Sequence, residues 1–446
     1  MKPIHIAINR SIRTIRQGLA GLVLALAAAA PVQAASLADV LDQIKVDGQV
    51  RSYYFTRQFT PNQGKQNLDA FGLGGSLTLT SGTFADGFSV VAGVMTAQSL
   101  GLNDHPQLDA TLMGVRQQLT VLGQAYLQYQ NPVLMLRAGN QLLHTPWMNP
   151  SDSRIIPAIY QAVLAEVTPV AGLHLYAIRQ TAWKSRTSGN YFKDNQYYPV
   201  SYAGDALHGG QPFTPLPATA QAASGTLAFG LSYANKAVEA RAWYYDFYRF
   251  ARTFYGEARY TLHTGTGFSP FIGAQYLRQH EPNSFFSQYG ITDQGLGGNV
   301  DSTVPGAIIG LDVPHGQISV AYDRVDFHAH ALGGGVVISP FTANYATDPL
   351  FTTSMIRGLV ELGPGHAWKV KGVYHLLDER LRLIAAYAAY STHFKGNSNN
   401  TYLDITYFPA AVPGLSLRDR IEVSRGRAAN GADRFVYNRV MMQYAF

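Results

Sequence analysis

The last nine residues, Asn438-Arg439-Val440-Met441-Met442-Gln443-Tyr444-Ala445-Phe446, alternate strictly: Val440, Met442, Tyr444 and Phe446 fall on one face, Arg439 and Gln443 on the other. A period of two belongs to a β-strand. The same two-faced pattern sets Leu77 and Leu79 against Ser76, Thr78 and Thr80, Ala125, Leu127 and Tyr129 against Gln124, Tyr126 and Gln128, and Leu403, Ile405 and Tyr407 against Tyr402, Asp404 and Thr406. In a bilayer every backbone N–H and C=O needs an internal partner, so such segments span only as part of a closed barrel.

The beginning of the chain reads as an address. Lys2, Arg10, Arg13 and Arg16 precede an apolar run, Gly18 to Ala30, that is too short to cross a membrane, and Val32-Gln33-Ala34 fits a signal-peptidase site. The expected division is a cleaved leader over 1–34 and a single barrel domain over 35–446. A leader followed by strands that end on an aromatic residue resembles bacterial outer-membrane proteins, whose assembly machinery would engage Phe446, in the outer membrane of a Gram-negative bacterium.

Composition excludes several classes. The leader holds four of the 34 Lys and Arg residues and none of the 28 Asp and Glu, so the remainder carries only +2 and the basic excess is no sign of nucleic acid. Cys is absent, which removes disulfides and thiolate metal sites. Charged residues make up 14% of the chain, low for a soluble domain, while Tyr (27) and Phe (22) are plentiful. No second apolar stretch is long enough for a transmembrane helix; even Leu381 to Tyr390 contains Arg382.

Connections alternate in length. Short Gly-, Pro- and Asn-bearing turns lie near 82–87, 130–132, 168–172, 234–237, 263–270, 313–316, 376–380 and 409–414. Longer segments fall near 57–68, 97–118, 140–162, 180–224, 247–254, 280–305, 325–366, 392–400 and 425–434. Eight turns and nine loops join about eighteen antiparallel strands, with turns periplasmic, loops outside and an aqueous lumen. Only Ala35 to Lys45 precedes the first run, so no plug is expected.

Two loops carry a family resemblance. Gly139-Asn140-Gln141-Leu142-Leu143-His144-Thr145-Pro146-Trp147-Met148-Asn149-Pro150-Ser151-Asp152-Ser153-Arg154-Ile155-Ile156-Pro157 resembles the Asp-Ser-Arg-apolar-apolar-Pro segment of OprD-family porins, as does Thr347-Asp348-Pro349-Leu350-Phe351-Thr352-Thr353-Ser354-Met355-Ile356 in the seventh loop. With the barrel layout, the resemblance covers nearly all of the chain after the leader. It implies a substrate-selective channel whose third loop folds into the lumen and forms a constriction with the seventh. It also implies passive diffusion of small carboxylate-bearing solutes, organic acids or amino acids, along basic wall residues, in a monomer or loose trimer. The chain departs from the family's wording at Leu143-His144-Thr145-Pro146-Trp147, inserted before Asp152.

Alternation places Lys369 and Lys371 on the fourteenth strand, Arg382 on the fifteenth, Arg418 and Arg420 on the seventeenth, Arg439 on the last and Arg51 on the first, all toward the lumen. Fewer acids, Asp47, Asp404 and Glu422, face them. Such a wall lowers the barrier for anions; the same residues could instead tie down inward loops and neutralise acids, as Glu239 and Glu257 would for Arg241 and Arg259. Asp419 falls on the lipid face, so its strand is expected to be bulged or shifted. Asp152, Ser153, Arg154 and Tyr160, with Asp348 opposite, are the constriction candidates. A carboxylate facing cations across an eyelet would select charged or dipolar solutes; the alternative is loop anchoring, with Arg154 bridged to the wall. Pro146, Pro150 and Pro157 stiffen the loop.

Trp147, Trp368, Tyr444 and Phe446 divide between interface girdle and pore, the girdle being the default. His328 and His330 share a loop without further metal-ligand spacing. No cofactor or metal is expected. A lipid hydrolase with a Ser-His pair on its wall and a non-conducting adhesion barrel are the alternatives; no Gly-x-Ser-x-Gly elbow or His-Glu-x-x-His motif is present. The expected partners are outer-membrane lipid and small anionic or zwitterionic solutes, and the chain is not expected to be an enzyme.

Overall fold

The alternating runs pair into eighteen antiparallel strands that close on themselves. In the computed structural model, residues 40, 42–59, 66–115, 117–151, 153–193, 225–341, 348–428 and 431–446 are described. The strands are β1 (Lys45–Phe59), β2 (Leu68–Thr80), β3 (Phe88–Gln98), β4 (Gln118–Gln130), β5 (Leu134–Gln141) and β6 (Ile159–Val170). β7 (Leu173–Lys184), β8 (Thr226–Ala234), β9 (Val238–Phe247), β10 (Ala251–Thr261), β11 (Ser269–His280) and β12 (Asp301–Val313) continue the meander. β13 (Gly316–Val325), β14 (Gly365–Leu376), β15 (Leu381–Thr392), β16 (Gly396–Tyr407), β17 (Leu415–Ala428) and β18 (Gly431–Ala445) complete it. Each strand pairs with its sequence neighbours, and β18 returns to β1 from Gln49↔Ala445 to Phe59↔Phe435.

Closure leaves no sheet edge, which is what a backbone surrounded by hydrocarbon requires. At the seam, Gly48 and Phe446 exchange two backbone hydrogen bonds of 2.9 Å. The Phe446 ring lies over Gly48, where an added Cβ would fall 2.3 Å from the ring carbon Cζ. Only glycine admits so close an approach. Along β18, Val440 is 49% exposed and Arg439 3%, so the outward face meets lipid and the inward face is covered by the barrel's contents.

Eight tight turns gather at one end. Asn131 shows why they form: its Oδ1 accepts from the amides of Val133 (2.9 Å) and Leu134 (2.8 Å). Asn235 repeats the device with Ala237 (2.8 Å) and Val238 (2.7 Å). At the other end three expected long segments prove short: residues 248–250 alone join β9 to β10, 393–395 join β15 to β16, and β17 runs to Ala428 with β18 resuming at Gly431. Polar runs such as Asn397 to Asn400 read as loop, but they continue the ladder of β16, half of them facing outward above the apolar belt.

The register of β17 against β18 is unbroken, which corrects the expectation of a bulge at Asp419. Asp419 stays on the outward face and accepts a 2.6 Å hydrogen bond from Asn438 Nδ2, so the pair satisfies itself without a shift. Irregularities fall instead between Gly93 and Val94 and within β6. Trp368, Tyr444 and Phe446 face outward, whereas Trp147 is buried inside.

Candidate solute pathway

Loop 2 (99–117), loop 3 (142–158) and loop 7 (326–364) carry apolar residues with no lipid to meet, and they bury them inside the barrel. Phe341 of loop 7 contacts Tyr160, Trp183 and Phe247 with ring centroids 5.4, 5.3 and 5.7 Å apart. Trp147 and Met148 of loop 3 and Val337 and Ile338 of loop 7 join this cluster. A second cluster holds Leu112 and Met113 of loop 2 and Ile155 and Ile156 of loop 3 against Phe55 and Tyr437 of the wall. Gly72 on β2 makes room for it, since a Cβ there would lie 2.8 Å from Ile155 Cγ1. Fully burying each such side chain stabilises by about 1.5–3 kcal/mol, so the loops are held inward chiefly by apolar area.

Polar tethers then set their position. Arg51, 3% exposed, donates to the carbonyls of Arg154 (2.9 Å) and Ile155 (3.4 Å). Arg154 is itself buried, donating from Nε to the Thr111 carbonyl and lying 5.2 Å over the Phe55 ring. Arg439 covers the same ring at 5.0 Å and Tyr437 at 4.4 Å. In loop 2, Asp109 faces Arg57 across 3.6 Å. Burial works to raise the Asp109 carboxyl, but the Arg57 charge and the Thr111 hydrogen bonds hold it below its ordinary value.

Charged wall residues anchor loop 7. Glu422 accepts from Ser354 Oγ (2.6 Å) and the Met355 amide (2.7 Å). Asp323 accepts from the Thr352 amide (2.7 Å), and Lys369 donates to the Thr353 carbonyl (2.8 Å). Within the loop, Asp348 accepts from the Leu350 amide (2.8 Å) and Thr353 Oγ1 (2.7 Å), and burial pushes its carboxyl up to about 7.

The structure therefore separates the constriction candidates. Arg154, Tyr160 and Asp348 turn into loop packing: Tyr160 is fully buried and its hydroxyl donates to the Asn149 carbonyl at 3.0 Å. Ser153, partly exposed, accepts from Arg154 Nη1 at 3.0 Å. Asp152 lies outside the described residues.

All seven wall cations are on the inward face, and they form two groups. Arg51, Lys369 and Arg439 are the loop-covered ones. Lys371, Arg382, Arg418 and Arg420 stay partly open on β14, β15 and β17. Arg418 grips Asp404 bidentately, Nε to Oδ1 at 2.8 Å and Nη2 to Oδ2, while Arg420 lies 3.4 Å from the same carboxylate and donates to Tyr402 Oη at 3.0 Å. Arg382 donates to Thr406 Oγ1 at 3.3 Å. Lys371 has no hydrogen bond or ion pair among the described residues. Four cations thus face one buried carboxylate, a local surplus of positive charge.

The opposite wall is mixed in charge. Arg241 pairs with Glu257 and Arg259 with Asp312, each at 2.6 Å, so both arginines are neutralised across strands rather than within their own. Arg241, Glu257 and Arg259, with His174, Glu239 and Phe271, line a hollow of about 470 Å³ near the short-turn end. His328 meets Asp301 at 3.1 Å. Sequence alone did not single out Arg57, Asp109, Thr111 or Asp323 as loop anchors, because their partners are remote in the chain.

Residues 38–331 match the sequence model of the family described as outer membrane porin, OprD family. The chain belongs to that family. The barrel is similar to the crystal structure of Pseudomonas aeruginosa OccK9 (OpdG), with a TM-score of 0.73 at 16% identity over 91% of this chain and 99% of that one. Acinetobacter baumannii OccAB3 is similar with a TM-score of 0.70 at 16% identity, again over 91% and 99% of the two chains. Pseudomonas aeruginosa OpdK, solved with vanillate, gives 0.67 at 16% identity over the same shares. No curated protein sequence matches the chain. The porin is a channel of the outer membrane and not an enzyme.

Proposed function

We propose that this porin passes small carboxylate-bearing solutes, organic acids or amino acids, by passive diffusion along the wall of Lys371, Arg382, Arg418 and Arg420. The observation that carries this reading is the surplus itself: four partly open cations hold inward positions on β14, β15 and β17, and among the described residues the carboxylate that meets any of them is Asp404, paired with Arg418 and Arg420. A guanidinium can hold a carboxylate through two parallel hydrogen bonds and release it to the next cation, which favours anions without trapping them. Arg51 and Lys369 act on the pathway through the loops they hold, Arg439 is buried over the Phe55 and Tyr437 rings, and Ser153 and Asp152 are the loop-3 candidates for its narrowest point. The vanillate bound by OpdK is an aromatic carboxylate, in keeping with this class of solute. Export through a leader ending at residue 34 and capture of the last strand through Phe446 by the assembly machinery complete the proposal.

Planar-bilayer reversal potentials in a salt gradient test it. The unaltered channel is expected to favour anions, and Lys371→Ala with Arg382→Ala to move the reversal potential toward the cation side. Cation preference in the unaltered channel would end the proposal.

A further inference from the structure

The end of β4 nearest the long loops has a strand on one side only. β3 accompanies β4 as far as Gln98↔Gln118, but β5 pairs with it no further than Ala125↔Asn140, because the chain then leaves the wall as loop 3. Within this stretch the register against β3 slips: Gly93 pairs with Gln124 and Val94 with Leu122, so Gly123 is the extra residue of a bulge. A bulge beside an open edge leaves carbonyl oxygens that no neighbouring strand satisfies.

Loop 4, which follows β7, supplies their partner. Its residues 185–193 are described, and they fold back on the end of β7, where Trp183 and Phe192 exchange backbone hydrogen bonds of 2.9 and 2.7 Å. This turn carries Tyr191 to β4, past the ends of β5 and β6, and the Tyr191 hydroxyl donates to the carbonyls of Leu122 at 3.3 Å and Gly123 at 3.2 Å. The ring packs on the cluster that holds Leu112, Ile155 and Phe55, as do Leu142 of loop 3 and Met355 of loop 7. Leu142, Tyr191 and Met355 are each half-buried, so one apolar side chain from each of loops 3, 4 and 7 borders the opening that the loops leave.

We propose that Tyr191 is a positioning residue for solute selection: its hydroxyl holds loop 4 on the open edge of β4, and its ring, so held, sets the width of the lumen beside loops 3 and 7. The tether joins a neutral hydroxyl to neutral carbonyls. It therefore acts on the size of a solute and leaves ion preference to the basic wall. The inference rests on the reading of the lumen as the solute route, but not on the charge of the solute.

Liposome swelling of the intact porin with neutral sugars of increasing size, arabinose, glucose and raffinose, tests it together with hydrogen exchange. Tyr191→Phe keeps the ring and loses the donor, and exchange at the Phe192 amide should quicken about fivefold, the weight of one hydrogen bond. Tyr191→Ala loses both, and its ratio of raffinose to arabinose rates should rise severalfold, with Tyr191→Phe between it and the unaltered protein. Reversal potentials should stay unaltered in both variants, since neither changes a charge. Because the sugars are neutral, a channel that prefers cations would end the anion proposal and leave this one standing. An unchanged rate ratio in Tyr191→Ala, or unchanged exchange in Tyr191→Phe, would overturn the inference.

Discussion

Arg51 on β1 donates from Nη1 to the carbonyl oxygen of Arg154 in loop 3, 2.9 Å away. A wall cation of the first strand thus fixes the loop that narrows the lumen, and its charge is covered by that loop. Replacing Arg51 with Ala leaves the buried carbonyl without its donor, at a cost of about 1–3 kcal/mol. The apolar contacts of Ile155 and Ile156 remain, so the barrel should stay folded while loop 3 moves more freely. Single-channel recordings should show higher and noisier conductance, and an unchanged trace would contradict the tether.

Glu422 holds loop 7 through Ser354 and the Met355 amide. In Glu422→Ala these donors are buried without acceptors, and limited proteolysis of the intact barrel should cut within 348–357 at least several-fold faster. Glu422→Gln keeps one oxygen and should fall between. Equal cleavage in all three proteins would show that the loop is held by apolar burial alone.

The Asp348 carboxyl, raised from 3.8 to about 7, gives loop 7 a pH dependence of definite sign. The seated loop binds this proton more tightly than the released loop, so seating is most favourable below about pH 4, where both forms are protonated. It weakens as pH rises through the window up to about 7, and the contribution is gone above it. Hydrogen exchange at Leu350 and Thr353 should accelerate over that window, relative to the intrinsic rate, and Asp348→Asn should flatten the dependence.

Asp404 neutralises part of the Arg418 and Arg420 charge. Asp404→Asn should therefore free positive charge in the lumen and shift the reversal potential further toward anions, opposite in direction to loss of Lys371 and Arg382. A shift toward cations would mean that Arg418 and Arg420 depend on Asp404 for their position.

Gly48 admits the Phe446 ring at the seam. Gly48→Val forces that ring away from two strands that must pair. The temperature at which the barrel loses its compact migration on unheated gels should fall, with little change in ion selectivity because the ring faces outward. An unchanged temperature would remove the seam argument.

Reading the sequence by alternation placed each of the seven wall cations on its correct face, because in a strand the side of a residue follows from its parity alone. The same rule misread the ends of strands. Asn397 and Asn399 sit where outward residues meet the headgroup region, and their polarity is indistinguishable from that of a loop. Asp419 was legible as outward, but Asn438, the partner that lets it stay there, is found only once β17 and β18 are in register.

What the sequence by itself determined is the barrel: the period of two, the alternation of turn and loop, and the inward side of the basic residues all follow from local pattern. Only the tertiary structure decided which cations remain open to a solute. Arg154 reaches Thr111, 43 residues away, and Arg51 reaches Arg154, 103 residues away. Such contacts depend on how three loops share one enclosed space, and no local propensity encodes which of them covers a given charge.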